Sequence, residues 1–149
     1  MRVLIQRVVQ ASVHVQDQLV SRIGPGLLIL AGFEGGDGLT DLQYCTQKLS
    51  LLRIFNDDAG VMNRSVQDVG GEVLIVSQFT LLAETKKGNR PSYLRAARPE
   101  EGNALYEQFL ALMEETLGKP VGRGRFGADM KVALVNDGPV TIWIDSRAR

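Results

Sequence analysis

The amino-acid sequence predicts an α+β domain of mainly antiparallel strands with two helices. Three observations carry this expectation. The N-terminal stretch RVLIQRVVQASVHVQ alternates apolar and polar residues with period two, as half-buried strands do. Leu27–Phe33 is an unbroken apolar run, the pattern of a strand covered on both faces. Two later segments, 39 to about 53 and 99 to about 117, repeat apolar residues at helical spacing. A length of 149 residues suits one core, so residues 1–149 are taken as a single domain.

The elements follow in chain order. Val3 and Ile5 mark a first strand, Gln10–Ala11 a break, and Val13 and Val15 a second strand. Asp17–Gln18 reads as a turn before Leu19–Ile23, and Gly24-Pro25-Gly26 as a stop before the buried run. Gly35, Gly36 and Gly38 mark a loop. The helix after it places Leu42, Leu49 and Leu52 on one stripe, with Thr40 or Asp37 as candidate caps. Asn56-Asp57-Asp58-Ala59-Gly60 is a turn cluster. Glu72–Val76 is a short strand running straight into Ser77-Gln78-Phe79-Thr80-Leu81, and residues 83–98 form a polar, basic loop. Pro99 opens the second helix, with Glu100 and Glu101 complementing its dipole and Gly118 and Pro120 ending it. Met130–Val135 and Val140–Ile144 are two strands joined by the turn Asn136-Asp137-Gly138-Pro139, with Pro139 expected at a strand start.

Composition excludes several chemistries. Lys+Arg and Asp+Glu number 17 each, so the chain is not a uniformly basic nucleic-acid binder, although a local basic patch remains open. The single cysteine, Cys45, forms no internal disulfide and points to a reducing compartment. One His and one Cys cannot build a zinc site of His/Cys ligands, and no calcium-loop spacing is present, so no metal or cofactor is expected. His14 alternates with Val13 and Val15 and reads as a solvent-facing strand residue rather than a general base; Cys45 reads as core filler. No apolar run reaches membrane-spanning length and no signal peptide opens the chain, so the expectation is a soluble, cytoplasmic protein.

Hydroxyl, backbone and basic groups remain. Ser77 and Thr80 stand at a strand end, where side chains and amides can face a cleft; on spacing alone, Ser77 as a structural hydrogen bonder and Phe79 as core is the simpler reading. Lys86, Lys87, Arg90, Arg95 and Arg98 against Glu84 leave a local excess of four positive charges, and Arg123, Arg125, Lys119 and Lys131 add more, opposed by Asp129. That loop is either solvated or a phosphate-binding surface, with Tyr93 and Phe126 able to stack on bases.

Ser77-Gln78-Phe79-Thr80-Leu81 and Asn136-Asp137-Gly138-Pro139-Val140-Thr141 resemble the two signature motifs of the D-aminoacyl-tRNA deacylases. MRVLIQRVVQASVHV, Arg53-Ile54-Phe55, Gly88-Asn89-Arg90-Pro91-Ser92 and Phe126-Gly127-Ala128-Asp129-Met130 are similar to that family in order and spacing, so the likeness runs from Met1 to about Ile144. Gly127 departs from it mildly, standing where the family often has a second alanine.

The resemblance implies a homodimeric editing hydrolase with an antiparallel β-barrel-like sheet flanked by helices. It would cleave the ester between a D-amino acid and the terminal adenosine of tRNA. Carried over by position, Gly138-Pro139 would be a cis pair entering the other subunit's pocket as a chirality filter, with Arg7 holding it. Ser77, Gln78, Phe79 and Thr80 would line the aminoacyl site, and Phe126 and Met130 would hold the adenosine. A rigid backbone filter selects by rejecting the L hand, and glycyl-tRNA, having no side chain to clash, should pass it. With no histidine to activate Thr80, water assisted by the ribose 2′-hydroxyl is favoured over a covalent threonine nucleophile. Backbone N–H groups at Phe79–Thr80 would then receive the oxyanion. Lys86, Lys87 and Arg90 are the best candidates for tRNA phosphates. The alternative from a different class is a dimeric RNA-binding module without catalysis.

Overall fold

The computed structural model describes residues 1–149. Its organising element is β1 (Arg2–Val15), one continuous 14-residue strand. There is no break at Gln10–Ala11; instead the register against its neighbour slips between Gln6 and Val8 and again between Val8 and Gln10. The slip turns the strand over. Val3 and Ile5 face the helix-covered core, while Ala11 and Val13 belong to a second core on the opposite face. A local irregularity of this kind re-aims side chains without ending a strand.

β2 (Gln18–Ile23) pairs antiparallel with the far half of β1, and β3 (Gly26–Gly32) pairs antiparallel with its near half. β3 is the buried central strand its sequence predicts. Leu27, Ile29 and Ala31 enter the first core and Leu28 the second, which is why the run has no polar alternation. β6 (Glu72–Ser77) lies parallel to β3, and the short β7 (Gly122–Arg123) lies parallel to β6. The sheet is therefore mixed, with the three pairings of β1 antiparallel and those of β6 parallel, and it curls nearly into a barrel. The parallel pairing follows from the crossover through α1 (Leu39–Leu51), since parallel neighbours need a long connection. A separate two-stranded ribbon, β4 (Phe55–Asn56) with β5 (Met62–Arg64), holds the Asn56–Gly60 turn.

The C-terminal region departs most from the sequence expectation. Residues Lys131–Asp145 form one 15-residue strand, β8, antiparallel to β1 along its whole length. Asn136–Pro139 does not join a hairpin, and Pro139 does not start a strand. The segment is a bulge: Thr141 pairs with Gln6 and Asn136 with Val8, leaving residues 137–140 to be accommodated opposite Arg7.

Both helices pack on the first core. α1 contributes Leu42, Cys45 and Leu49, and α2 (Pro99–Leu117) contributes Leu105, Tyr106, Phe109, Leu110 and Met113. Pro99 opens α2 and Gly118 closes it in the left-handed conformation, as its composition predicts. The N-cap of α1 is Gly38, not Thr40 or Asp37. Asp41 accepts the Gly38 N–H (3.0 Å), and Asp37 is occupied by the buried Met1 amine at 2.6 Å. Cys45 is fully buried, which pushes its thiol up to about 12. His14 is half-buried on the face opposite Val13 and Val15. No helix is long and apolar enough to cross a membrane.

Candidate active site

Beyond the end of β6 the chain forms a cavity of about 680 Å³. Three walls meet there. The end of β6 supplies Ser77, Gln78 and Phe79, the loop before α2 supplies Tyr93 and Leu94, and the segment into β8 supplies Phe126 and Met130. The lining is mostly apolar with a few polar groups, the usual make-up of a small-molecule site.

Local structure sets each wall. After Ser77 the backbone leaves the sheet and Phe79–Leu82 forms a 3-10 turn. The Gln78 N–H stays with the sheet, donating to Ala31 O at 2.7 Å. Phe79 and Thr80 open the turn, where first-turn N–H groups have no acceptor within it. Phe79 is not a core residue. It is 57% exposed and meets Tyr93 edge-on, with ring centroids 5.0 Å apart. Thr80 lies just outside the lining, its hydroxyl accepting from Gln78 Nε2 at 2.6 Å. No imidazole or carboxylate is bonded to it, so nothing raises its nucleophilicity.

The floor is braced from α2. The buried Tyr106 hydroxyl donates to Ile75 O (2.8 Å) and accepts the Gly124 N–H (3.1 Å), and burial pushes it up to about 12. Phe126 packs over Tyr106 and against Gly102, where a Cβ would come within 3.3 Å of its ring.

The loop wall is held by Glu34, a residue to which the sequence offers no local pointer. Its carboxylate takes Arg95 through both oxygens (2.9 and 3.1 Å), while Gly35 N–H donates to Arg95 O and Ala97 N–H to Phe33 O. Arg147 reaches the same carboxylate at 3.2 Å. Arg95 is thus withdrawn from the basic loop's free charge. Arg123 is paired with Glu107 and Glu114, and Lys131 with Asp129. Lys86, Lys87 and Arg90 are exposed on the loop and outside the cavity lining.

Gly138 and Pro139 lie elsewhere. Their peptide bond is cis, both residues are exposed, and Gly138 has φ +128°. They stand six residues along β8 from Val132 in the cavity wall, roughly 20 Å on an extended strand. Arg7 sits beneath them, only 7% exposed. Its guanidinium donates to Asp137 O (3.1 Å) and Ile54 O (2.6 Å) and pairs with the Asp137 carboxylate at 3.2 Å. The Asn136 side chain closes the bulge, accepting the Val140 N–H at 2.8 Å.

Of the sequence-predicted residues, Ser77, Gln78, Phe79, Phe126 and Met130 are brought to one cavity. Thr80 stands beside it, and Gly138, Pro139 and Arg7 form a second group apart from it.

Comparison with known proteins gives a consistent result. The family described as D-Tyr-tRNA(Tyr) deacylase matches residues 4–145. The D-aminoacyl-tRNA deacylase of Chromobacterium violaceum is 60% identical over 147 residues, covering 99% of this chain and 98% of that protein. A solved structure titled c-Myc DNA Unwinding Element Binding Protein superposes with a TM-score of 0.93 at 38% identity, covering 97% of this chain and 98% of that one. A probable eukaryotic D-amino acid tRNA deacylase, at 22% identity and a TM-score of 0.82 over 96% of this chain and 97% of that one, shares the fold. With both signature segments inside the matched range and full-length relatives at such identity, the chain belongs to the D-Tyr-tRNA(Tyr) deacylase family.

Proposed function

We propose that this protein hydrolyses the ester of D-aminoacyl-tRNA, releasing the D-amino acid and free tRNA. The observation that carries the reading is the cavity itself. It sets the Ser77–Phe79 strand end opposite Phe126 and Met130, giving an aminoacyl wall and an apolar wall for the adenine ring. Hydrolysis needs a positioned water and donors aimed at the developing oxyanion. The free N–H groups of Phe79 and Thr80 supply the donors. Thr80 has no base beside it, so water is activated by the neighbouring ribose 2′-hydroxyl of the substrate.

Chirality is read by a second copy of the chain. Gly138-Pro139 cannot line its own cavity from roughly 20 Å along β8. It enters the partner subunit's cavity across a two-fold interface, so one dimer holds two sites. The exposed apolar residues Val135 and Trp143 on the same strand support a protein-covered surface there. Arg7 fixes the bulge from below, making the backbone rim rigid. A rigid rim rejects the L substituent at the α-carbon and leaves the D hand and glycine room, so glycyl-tRNA is also cleaved. Lys86, Lys87 and Arg90 hold phosphates of the acceptor arm.

Purified protein mixed with D- and L-tyrosyl-tRNA tests the reading. Loss of the D ester with survival of the L ester is expected. Equal decay of both refutes the filter, and binding without decay of either would establish the non-catalytic RNA-binding module instead.

A further inference from the structure

We infer that Gly32 and Arg2, a cross-strand pair, position the turn whose N–H groups receive the oxyanion, an inference that rests on the deacylase reading above. The two residues stand directly opposite each other on β3 and β1, and Asp145 of β8 is opposite Arg2 on its other side. Residues opposite one another share a face of the sheet, so the three form one row across three strands. The 3-10 turn Phe79–Leu82 folds back onto this row.

Different members of the row hold the two ends of the turn. At Gly32 there is no room for a side chain. A Cβ there would lie 2.6 Å from Leu82 Cδ2, 2.8 Å from the Gln78 carbonyl oxygen and 3.1 Å from Leu81 Cβ. The Leu82 side chain can rotate, but the Gln78 oxygen cannot move alone. It shares one planar peptide unit with the Phe79 N–H, so pushing the oxygen moves the donor. At the far end Arg2 donates from Nη1 to the Leu81 carbonyl at 3.1 Å. Asp145 aims the guanidinium, accepting from Nε at 3.0 Å.

The size of the effect follows from contact distances. A methyl carbon needs about 3.5 Å, so alanine at position 32 drives the Gln78–Phe79 peptide outward by roughly 0.5 Å. An oxyanion donor works at about 2.7–3.1 Å, and a site loses its productive geometry beyond about 0.5 Å. The groups that bind the ground state at Phe126 and Met130 lie in another wall of the cavity and stay in place. The loss therefore falls on kcat and not on KM.

Steady-state hydrolysis of D-tyrosyl-tRNA, with thermal unfolding of each variant, tests the inference. Gly32→Ala is expected to lower kcat about tenfold to a hundredfold with KM within about twofold. Adding Leu82→Val removes the side-chain clash and should recover Tm without recovering kcat, because the Gln78 oxygen is still crowded. Arg2→Met should lower kcat several-fold with little change in Tm, and Arg2→Lys, which can still donate to Leu81, should keep most of it. Recovery of kcat together with Tm in the Gly32→Ala, Leu82→Val protein would reduce Gly32 to a packing role and overturn its part. Unchanged kcat in Arg2→Met overturns the tie to Leu81, and that variant decides the inference by itself if Gly32→Ala does not fold. In both cases the wild type still cleaves D-tyrosyl-tRNA and the deacylase reading stands. A folded wild type that cleaves nothing overturns both.

Discussion

Replacing Glu34 with alanine should weaken substrate binding more than it weakens the fold. The carboxylate is buried, whereas its partners Arg95 and Arg147 are 47% and 41% exposed and can return to water when it is removed. Each such pair is worth at most about 1 kcal/mol, and deletion also relieves the cost of burying the carboxylate. The backbone bonds Gly35–Arg95 and Ala97–Phe33 remain. The expected global loss is about 1–2 kcal/mol, or roughly 3–6 °C in Tm for a chain of this size. The local effect is larger, because Arg95 no longer anchors the Tyr93–Ala97 wall, and KM should rise several-fold with a smaller change in kcat. Two controls separate the contributions. Arg95→Ala should reproduce the KM rise with less than about 1 kcal/mol lost, since Arg147 still neutralises Glu34. Arg147→Ala should lower stability and leave KM unchanged, since it touches Glu34, Asp37 and the Gly35 carbonyl but no residue of the Tyr93–Ala97 wall. Steady-state hydrolysis of D-tyrosyl-tRNA alongside thermal unfolding reads both quantities. A KM rise in Arg147→Ala equal to that in Arg95→Ala would refute the argument that Glu34 acts through the loop.

Four further outcomes are expected. Thr80→Ala should keep a substantial part of the activity, while a tRNA ending in 2′-deoxyadenosine should be cleaved poorly; a hundredfold loss from Thr80→Ala, the range for a missing acid–base group, would return its side chain to the chemistry. Gly138→Ala should cost about 1–3 kcal/mol and most of the activity, because φ is +128° and a Cβ would lie 2.8 Å from Val140 Cγ2 and 3.1 Å from Arg7 Nη2; unchanged unfolding and hydrolysis would sink this. Neutralising Lys86, Lys87 and Arg90 together should flatten the salt dependence of tRNA binding by about 0.7–0.9 log unit per lost phosphate contact, alike for charged and uncharged tRNA. Below about pH 4 the fold should lose stability in part through Asp41. Burial opposes its ionisation, but the Gly38 N–H and the Ser146 hydroxyl outweigh that and hold its carboxyl below the usual range. Its contribution is complete above the unfolded-state value and disappears as pH falls through the folded one, so Asp41→Asn should flatten acid unfolding measured by circular dichroism.

Local signals in the sequence located what local physics decides. Pro99 and Gly118 bound α2 because proline fits a first helical turn and glycine a left-handed cap. The Leu27–Phe33 run located the central strand, since only a strand covered on both faces can be apolar throughout. The strand-end segment Ser77–Thr80 was equally legible, although its exposed Phe79 was not. The Asn136–Pro139 segment has the composition of a turn, yet both of its flanks find partners on the one long strand β1, so pairing overrides composition and the turn becomes a bulge. The parallel pairing of β3 with β6 depends on a crossover of some forty residues, beyond any short-range pattern. The cavity is wholly tertiary. Its walls come from residues 76–79, 93–99 and 126–132, and the Glu34–Arg95 pair bracing one of them spans 61 positions. Residue types announced which groups could act, and only the packing of distant segments decided which of them meet.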